Sequence, residues 1–100
     1  MSPVPDFIVE IRRLVGDHPL WLPGVTAVIR RGDEVLLVKR ADNGRWTPVT
    51  GITDPGEEPA VTAAREALEE TGVRIRVDRL AATTVHPEVT YDNGDRAAYL

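Results

Sequence analysis

Three glutamates near the middle of the chain have a spacing that suits metal chemistry. Glu66, Glu69 and Glu70 stand at i, i+3 and i+4, so in a helix they share one face. Neighbouring carboxylates repel one another and lower the stability of the helix. A hard dication such as Mg²⁺ removes that repulsion, because it takes oxygen ligands from carboxylates. The spacing is therefore compatible with a divalent metal site, although a solvated helix face is the commoner case for any one pair of glutamates.

A helix over residues 59–71 must carry these glutamates. Pro59 suits the first turn of a helix, where no N–H is needed, and Gly72 suits the residue just past its end. The face opposite the glutamates is expected to form the core stripe, made of Ala60, Val61, Ala64, Ala67 and Leu68. The loop before the helix contains Asp54-Pro55-Gly56, which is typical of a tight turn.

A wider pattern surrounds this helix. Eight residues follow the spacing G-x5-E-x7-R-E-U-x-E-E-x-G-U, where U is a bulky aliphatic: Gly51, Glu57, Arg65, Glu66, Glu69, Glu70, Gly72 and Val73. This stretch resembles the Nudix box, the signature of the Nudix hydrolases. One position departs from it, because Ala67 stands where the family has a larger aliphatic side chain.

The resemblance implies an α/β fold, with a mixed sheet in an α/β/α sandwich. On this basis residues 1–100 form a single Nudix domain, with an N-terminal helix and lead-in over 1–20. Residues 24–100 would hold the mixed sheet and the Nudix helix. The chain stops inside a predicted strand, so we expect it to lack C-terminal elements and to leave a sheet edge exposed.

The resemblance also implies a reaction, the hydrolysis of a nucleoside diphosphate linked to another moiety. Mg²⁺ or Mn²⁺ is the implied cofactor, held by Glu66, Glu69 and Glu70 together with the backbone carbonyl of Gly51. Such chemistry needs charge neutralisation and positioning, and a bound metal lowers the pKa of water. The substrate is left open among ADP-ribose, an oxidised dNTP, a nucleotide sugar and a dinucleoside polyphosphate.

Catalytic roles carried over from the family fall on glutamates and on one arginine. Glu66 is the first candidate for the general base or a metal ligand, and Glu57 and Glu88 are its rivals. The resemblance gives Arg65 a supporting role, in which it pairs with a glutamate of the loop or helix, because a guanidinium holds a carboxylate in one plane. An ordinary i,i+4 pair between Arg65 and Glu69 is the compatible alternative.

Residues outside the box are candidates for substrate contacts. Arg40 and Arg45 could bind phosphate, although a basic residue at a strand end is usually only solvated. Glu88 could supply an extra carboxylate from a separate loop. His86 is a candidate acid or base, but a surface histidine is the commoner case.

The rest of the chain alternates strand and turn signals. Residues 3–16 predict an amphipathic helix, capped by Asp6 and ended by Gly16. Gly32-Asp33 predicts a hairpin between residues 25–31 and 34–40, and Asn93-Gly94 predicts a second one before a last strand at 96–100. Residues 73–77 alternate as a half-buried strand does, and His86-Pro87-Glu88 is expected to interrupt the following run.

Two tryptophans are assigned to the interior. Trp21 is expected to be a buried anchor, and Trp46 is expected to belong to the core, as a tryptophan at this place does in many Nudix domains.

Composition excludes several classes of protein. Apolar residues make up 42% and charged residues 28% of the chain, as in an ordinary soluble domain. The net charge of −4 argues against nucleic acid held on a basic surface, and the lack of cysteine excludes disulfides and thiolate ligands. No membrane span or signal peptide is predicted, so the expected location is cytoplasmic. A homodimer is compatible with the resemblance.

A second function is compatible with the same sequence. Some Nudix-like domains bind nucleotides or metabolites without turnover, and these usually lose box carboxylates. All four, Glu57, Glu66, Glu69 and Glu70, are present here, which favours the enzyme over a binding module or an acidic structural domain.

Overall fold

The structure is a computed structural model that describes residues 4–100. Within these residues, two helices and nine short strands follow one another: α1 (Asp6–Val15), β1 (Leu20–Leu22), β2 (Gly24–Ala27), β3 (Arg30–Arg31), β4 (Glu34–Val35), β5 (Val38–Lys39), β6 (Trp46–Thr47), β7 (Val49–Ile52), α2 (Pro59–Thr71), β8 (His86–Thr90) and β9 (Arg96–Tyr99).

Both helices begin and end close to where local signals place them. α2 starts at Pro59, and Gly72 closes it in the left-handed conformation, at φ 73°. α1 ends before Gly16, whose N–H donates to the carbonyl of Arg12. The predicted capping role of Asp6 is wrong, because Pro5 holds the cap position and no side chain caps this end. The predicted start of this helix at residue 3 lies outside the described residues.

A three-stranded mixed sheet joins the two ends of the chain. Its strand order is β1-β9-β8, with β1 parallel and β8 antiparallel to β9. The last strand of the chain, β9, is the central strand, so the edges of this sheet are β1 and β8. The expected lack of C-terminal elements stays a prediction. The sheet was expected only within residues 24–100, but the segment before Gly24 supplies β1, which is the second partner of β9.

Three two-stranded antiparallel ladders make up the rest of the strand structure. β2 pairs with β7, so that Val25 lies opposite Gly51. β3 and β4 form the turn end of the predicted hairpin around Gly32, which has a φ of 60°. The rest of that prediction is wrong, because β2 pairs with β7 instead of with residues 34–40. β5 pairs with β6. Of these elements, β7 matters most for the site, because α2 packs on it and on β2.

The core between α2 and the β2–β7 ladder is built from small residues. Val49 and Ala67 are fully buried, with Ala27 and Ala63 beside them. The predicted core stripe is therefore wrong apart from Ala67. Val61 is 55% and Leu68 is 40% exposed, Ala60 is exposed and Ala64 is half-buried. Alanines let the helix approach β7 closely, whereas the larger aliphatic side chains would hold it away.

Other predictions for the interior also fail. Residues 73–77 form no strand, because no backbone ladder within residues 4–100 includes them, and alternation alone gives a strand no hydrogen-bonding partner. Trp21 is 58% and Trp46 is 63% exposed. The Lys39 ammonium lies 6.0 Å from the centroid of the Trp46 ring. A cation–π contact, rather than burial in the core, therefore explains the position of Trp46.

The segment His86-Pro87-Glu88 was expected to interrupt a strand but lies inside one. β8 starts at His86, and its register with β9 shifts by one residue before Val89. A bulge of this kind accommodates Pro87, which has no N–H to donate to the ladder. Within residues 4–100, neither helix is long and apolar enough to cross a membrane.

Candidate active site around Arg65

Arg65 is the centre of a charged network between α2 and the loop before it. Its Nε donates to Glu57 Oε2 at 2.9 Å, and its Nη2 donates to Glu57 Oε1 at 2.8 Å. Nη2 also reaches the carbonyl oxygen of Ile52 at 3.2 Å, at the end of β7. Two parallel bonds from a guanidinium fix both the distance and the plane of a carboxylate. The pair therefore ties the loop to the helix and to the strand.

Glu57 is held by donors on every side. Thr62 Oγ1 lies 2.7 Å from Glu57 Oε1, and the N–H of Asp54 donates to the same oxygen at 3.2 Å. The bonds from Arg65 are the main reason that the pKa of Glu57 falls to about 2, and they outweigh partial burial, which acts in the opposite direction. Glu57 is thus a permanently ionised acceptor at neutral pH.

A tight turn presents Glu57 to this network. The N–H of Glu57 donates to the carbonyl of Asp54 at 3.0 Å, and Gly56 adopts a φ of 81°, a conformation that glycine takes without steric cost. The predicted turn at residues 54–56 is confirmed. It places the acid eight residues before Arg65, within reach of the second turn of α2.

Glu66 is buried against the strand. It is 3% exposed, and its Oε1 accepts from Arg65 Nη1 at 2.8 Å. A Cβ at Gly51 would lie 2.2 Å from Glu66 Cγ, a distance at which two carbon atoms overlap. Glycine at position 51 is therefore what lets the Glu66 side chain lie against β7.

The other two helix glutamates are more open. Glu69 Oε2 lies 3.5 Å from Arg65 Nη1, and its side chain is 47% exposed. For Glu70, partial burial together with the negative charges of Glu66 and Glu69 raises the pKa, and Arg40 acts in the opposite direction. Glu70 thus feels the like-charge repulsion that the spacing predicts, and Arg40 is close enough for its charge to act on that carboxylate.

The three helix glutamates fit a hard dication in chemistry but do not converge on one point. Their oxygens are the ligands that Mg²⁺ and Mn²⁺ prefer, and the pKa of Glu70 is raised first by burial and then by the charges of its neighbours. Yet no group of three or more His, Asp or Glu side chains in residues 4–100 is close enough together to hold a metal ion. Arg65 instead holds Glu66 and Glu69, so a guanidinium supplies part of the neutralisation.

The candidate residues outside the box lie apart from Arg65. Arg40 forms a two-pronged pair with Asp42, at 2.9 and 2.7 Å, which raises the pKa of Arg40 and lowers that of Asp42. Arg45 is exposed in the turn before β6. Glu88 is exposed in β8 rather than in a separate loop, and within residues 4–100 it forms no ion pair with this network.

Two threonines in the network were not expected from the sequence. Thr62 is fully buried and Thr53 is 7% exposed, and their hydroxyl oxygens lie 3.1 Å apart. A threonine inside a helix next to alanines is a weak signal, because its hydroxyl usually bonds to its own backbone.

A cleft of about 420 Å³ lies beside Arg65, between the start of α1 and the loop before α2. Asp6, Phe7 and Asp54 are among the residues that line it.

Comparison with known proteins decides the family. The family model of the NUDIX domain matches residues 20–98. The chain belongs to the Nudix family. A MutT-like protein of Streptomyces ambofaciens is 41% identical over 63 residues, which are 63% of this chain and 40% of that protein. An NAD-capped RNA hydrolase NudC of Enterobacter sp. (strain 638) is 32% identical over 89 residues, 78% of this chain and 34% of that protein.

A third protein with a matching region is named for a different activity. An octanoyltransferase of Myxococcus xanthus is 39% identical over 72 residues, which are 68% of this chain and 20% of that protein. The chain thus spans less than half the length of these three relatives. The resemblance of residues 51–73 to the Nudix box is confirmed by the family match.

Proposed function

We propose that this Nudix chain hydrolyses the diphosphate linkage of a nucleoside diphosphate joined to another moiety, with Mg²⁺ or Mn²⁺ as cofactor. The observation that carries the proposal is the packing of Glu66 against Gly51 while Arg65 holds Glu57 and Glu66 together. A structural acidic helix has no need to bury a glutamate against a glycine. The arrangement presents carboxylate oxygens at one end of β7, next to further carboxylates.

Each box residue then has a distinct role. We assign Glu57 and Arg65 to orientation, because the four donors on Glu57 leave it little capacity to take a proton. Glu66 remains the candidate base or metal ligand, with Glu69, Glu70 and the carbonyl of Gly51 as further ligands. When bound, the metal would neutralise the diphosphate and lower the pKa of water. The charge of Arg40, which acts on Glu70, suits a phosphate that approaches this face.

The class of substrate rests on the relatives. Nudix proteins named as MutT-like and as NAD-capped RNA hydrolase support a nucleotide derivative. The second of these names includes RNA, so the expectation that this chain does not act on nucleic acid stays a prediction. Arg40, Arg45 and Glu88 likewise stay predictions as substrate contacts, as do the homodimer and the cytoplasmic location.

The test is hydrolysis of a panel of nucleoside diphosphate derivatives, NAD and NAD-capped RNA included, with and without millimolar Mg²⁺ or Mn²⁺. We expect the Glu70→Gln variant to lose at least ~10²-fold in metal-dependent turnover while it keeps the fold, as judged by circular dichroism. Glu10→Gln, which makes the same charge change on the exposed face of α1, is the matched control and should keep the wild-type rate. Unchanged turnover in Glu70→Gln would remove Glu70 from the site.

Binding without turnover is the second candidate function. It is favoured by the lack of a three-carboxylate cluster within residues 4–100. Calorimetry with the same compounds separates the two functions, because a module that only binds gives a binding heat with no product on any metal. Release of product with Mg²⁺ or Mn²⁺ decides for the enzyme.

A further inference from the structure

A pair of threonine hydroxyls lies next to Glu57: the hydroxyl of Thr62 contacts Oε1, whereas Arg65 Nε binds Oε2. Thr53 follows β7 directly and Thr62 stands in the first turn of α2, so the pair bridges the loop that separates strand and helix. Both residues are buried, and no part of Thr62 is exposed. A buried hydroxyl is costly unless it is hydrogen-bonded, so the positions of its partners are informative.

The proton count fixes the direction of these bonds. Thr62 Oγ1 has one proton and three oxygen neighbours: Glu57 Oε1 at 2.7 Å, Thr53 Oγ1 at 3.1 Å and the carbonyl of Glu58 at 3.3 Å. A carboxylate paired with Arg65 has no proton to give, and hydrogen bonds to a charged acceptor are the shortest and strongest. Thr62 therefore donates to Glu57, and its oxygen is left to accept the proton of Thr53.

We propose that Thr62, oriented by Thr53, is a positioning residue that sets the plane of the Glu57 carboxylate and, through it, the guanidinium of Arg65. The inference rests on the proposed function, because a fixed Arg65 matters to turnover only if Glu66 takes part in it. Without the Thr62 hydroxyl, Glu57 Oε1 loses its shortest contact, and the carboxylate can turn together with the guanidinium that is paired to it. The guanidinium is a rigid fork, so such a rotation moves Nη1 away from Glu66 Oε1.

The decisive variant is Thr62→Val, which removes the hydroxyl and keeps the branched shape. Thr62→Ser restores a hydroxyl without the methyl group. Thr71→Val is the matched control, because Thr71 lies on the same helix and its hydroxyl bonds to the carbonyl of Ala67 at 2.6 Å, away from Glu57 and Arg65. The three variants separate the loss of this hydroxyl from the loss of any helical threonine.

The first readout is the ¹H–¹⁵N signal of the Arg65 Nε–H group, which donates to Glu57 Oε2. We expect this signal to shift or to broaden beyond detection in Thr62→Val and to keep its wild-type position in Thr62→Ser and Thr71→Val. The signal of Arg76 Nε–H, bonded to Asp78 at 2.9 Å on an exposed segment, serves as an internal reference. An unshifted Arg65 signal in Thr62→Val overturns the inference.

The second readout is the split between kcat and KM for a substrate found in the panel. Misalignment of a catalytic group lowers kcat, so Thr62→Val should lose about tenfold in kcat with KM unchanged, and Thr62→Ser should recover it. If Thr62→Val does not fold, Thr62→Ala takes its place under the same criteria, since alanine favours the helix. A wild-type chain that hydrolyses nothing contradicts the proposed function, while the Arg65 signal still decides this inference.

Discussion

At the scale of single residues, the box arginine and the loop glutamate behave as one unit. Arg65 contacts acids from the loop and from its own helix, and Glu57 accepts from Arg65, Thr62 and Asp54. The pairings predicted for Arg65, with a loop glutamate and with Glu69, are both present. Their strengths differ, because the Glu69 contact is long and open to solvent, where ion pairs contribute little.

The lowered pKa of Glu57 predicts how stability depends on pH. Its pKa is about 2 in the folded chain against 4.5 for the free group, so the folded state holds its proton less tightly than the unfolded state. The stabilisation is therefore complete above pH 4.5 and is lost as the pH falls from there toward 2. Because the side chain is partly solvated, we expect it to contribute roughly 1–3 kcal/mol to the free energy of unfolding. The raised pKa of Glu70 has the opposite effect on stability, because the folded state then holds that proton more tightly than the unfolded state.

Urea unfolding between pH 7 and pH 3 measures this effect. We expect the wild-type free energy of unfolding to fall across the acid range, and Glu57→Gln to start lower and show a smaller fall. Glu10 forms no ion pair within residues 4–100, so the Glu10→Gln variant should show the same dependence of unfolding free energy on pH as the wild type. Parallel curves for wild type and Glu57→Gln would show that the Arg65 pair gives no net stability.

At the scale of elements, signals that act over a few residues predicted the structure well. α2 begins at Pro59 and ends before Gly72 as expected, and Gly32 lies in the turn between β3 and β4. Such features depend on the φ preferences of the residues themselves. The same holds for the turn that presents Glu57 and for the spacing that brings it to Arg65, so most of this part of the site was predictable from the sequence.

Features that depend on distant partners were not predictable in this way. The parallel pairing of Leu20 with Ala97 joins segments far apart in the chain, and nothing local encodes it. The prediction for the buried face of α2 was wrong because hydrophobicity alone assigns Val61 and Leu68 to the core. The side chains that are buried in the structure are instead small ones and that of Glu66. The role of Thr62 could not be predicted for a related reason. It depends on the contact with Glu57, which forms only when the loop folds back onto α2.

The close approach of α2 to β7 gives a prediction at this scale. Gly51→Ala places a Cβ within 2.2 Å of Glu66 Cγ, so Glu66 must swing out of its buried position. We expect a loss of about 1–3 kcal/mol in the free energy of unfolding, together with loss of the Arg65–Glu66 contact in a crystal structure. If a site of this kind hydrolyses diphosphates, turnover should fall with it.

Gly24→Ala is the matched control for this substitution. Gly24 lies on β2 in the same ladder as Gly51, and a Cβ there would meet its nearest neighbour at an ordinary 3.6 Å. This variant should unfold close to the wild-type midpoint. Equal losses in both variants would point to the ladder itself, rather than to Glu66, as the cause.

At the scale of the whole molecule, negative charge accumulates where an anionic substrate must approach. The chain has a net charge of −4, and α2 carries three of its acids within five residues, of which Arg65 holds two. A diphosphate would be repelled by this surface without a further cation. An anionic substrate at this surface would therefore demand a bound cation, such as the proposed dication.

Thermal unfolding with added metal tests that demand on the intact chain. A ligand that binds only the folded state at ten times its Kd adds about 1.4 kcal/mol, which raises the Tm of a chain this size by roughly 5 to 10 °C. We expect this rise with Mg²⁺ or Mn²⁺, a smaller one in Glu70→Gln, and none with NaCl at matched ionic strength. An equal rise with NaCl would show general screening of the acidic surface, and a Tm that does not change with either metal would contradict binding by the helix glutamates.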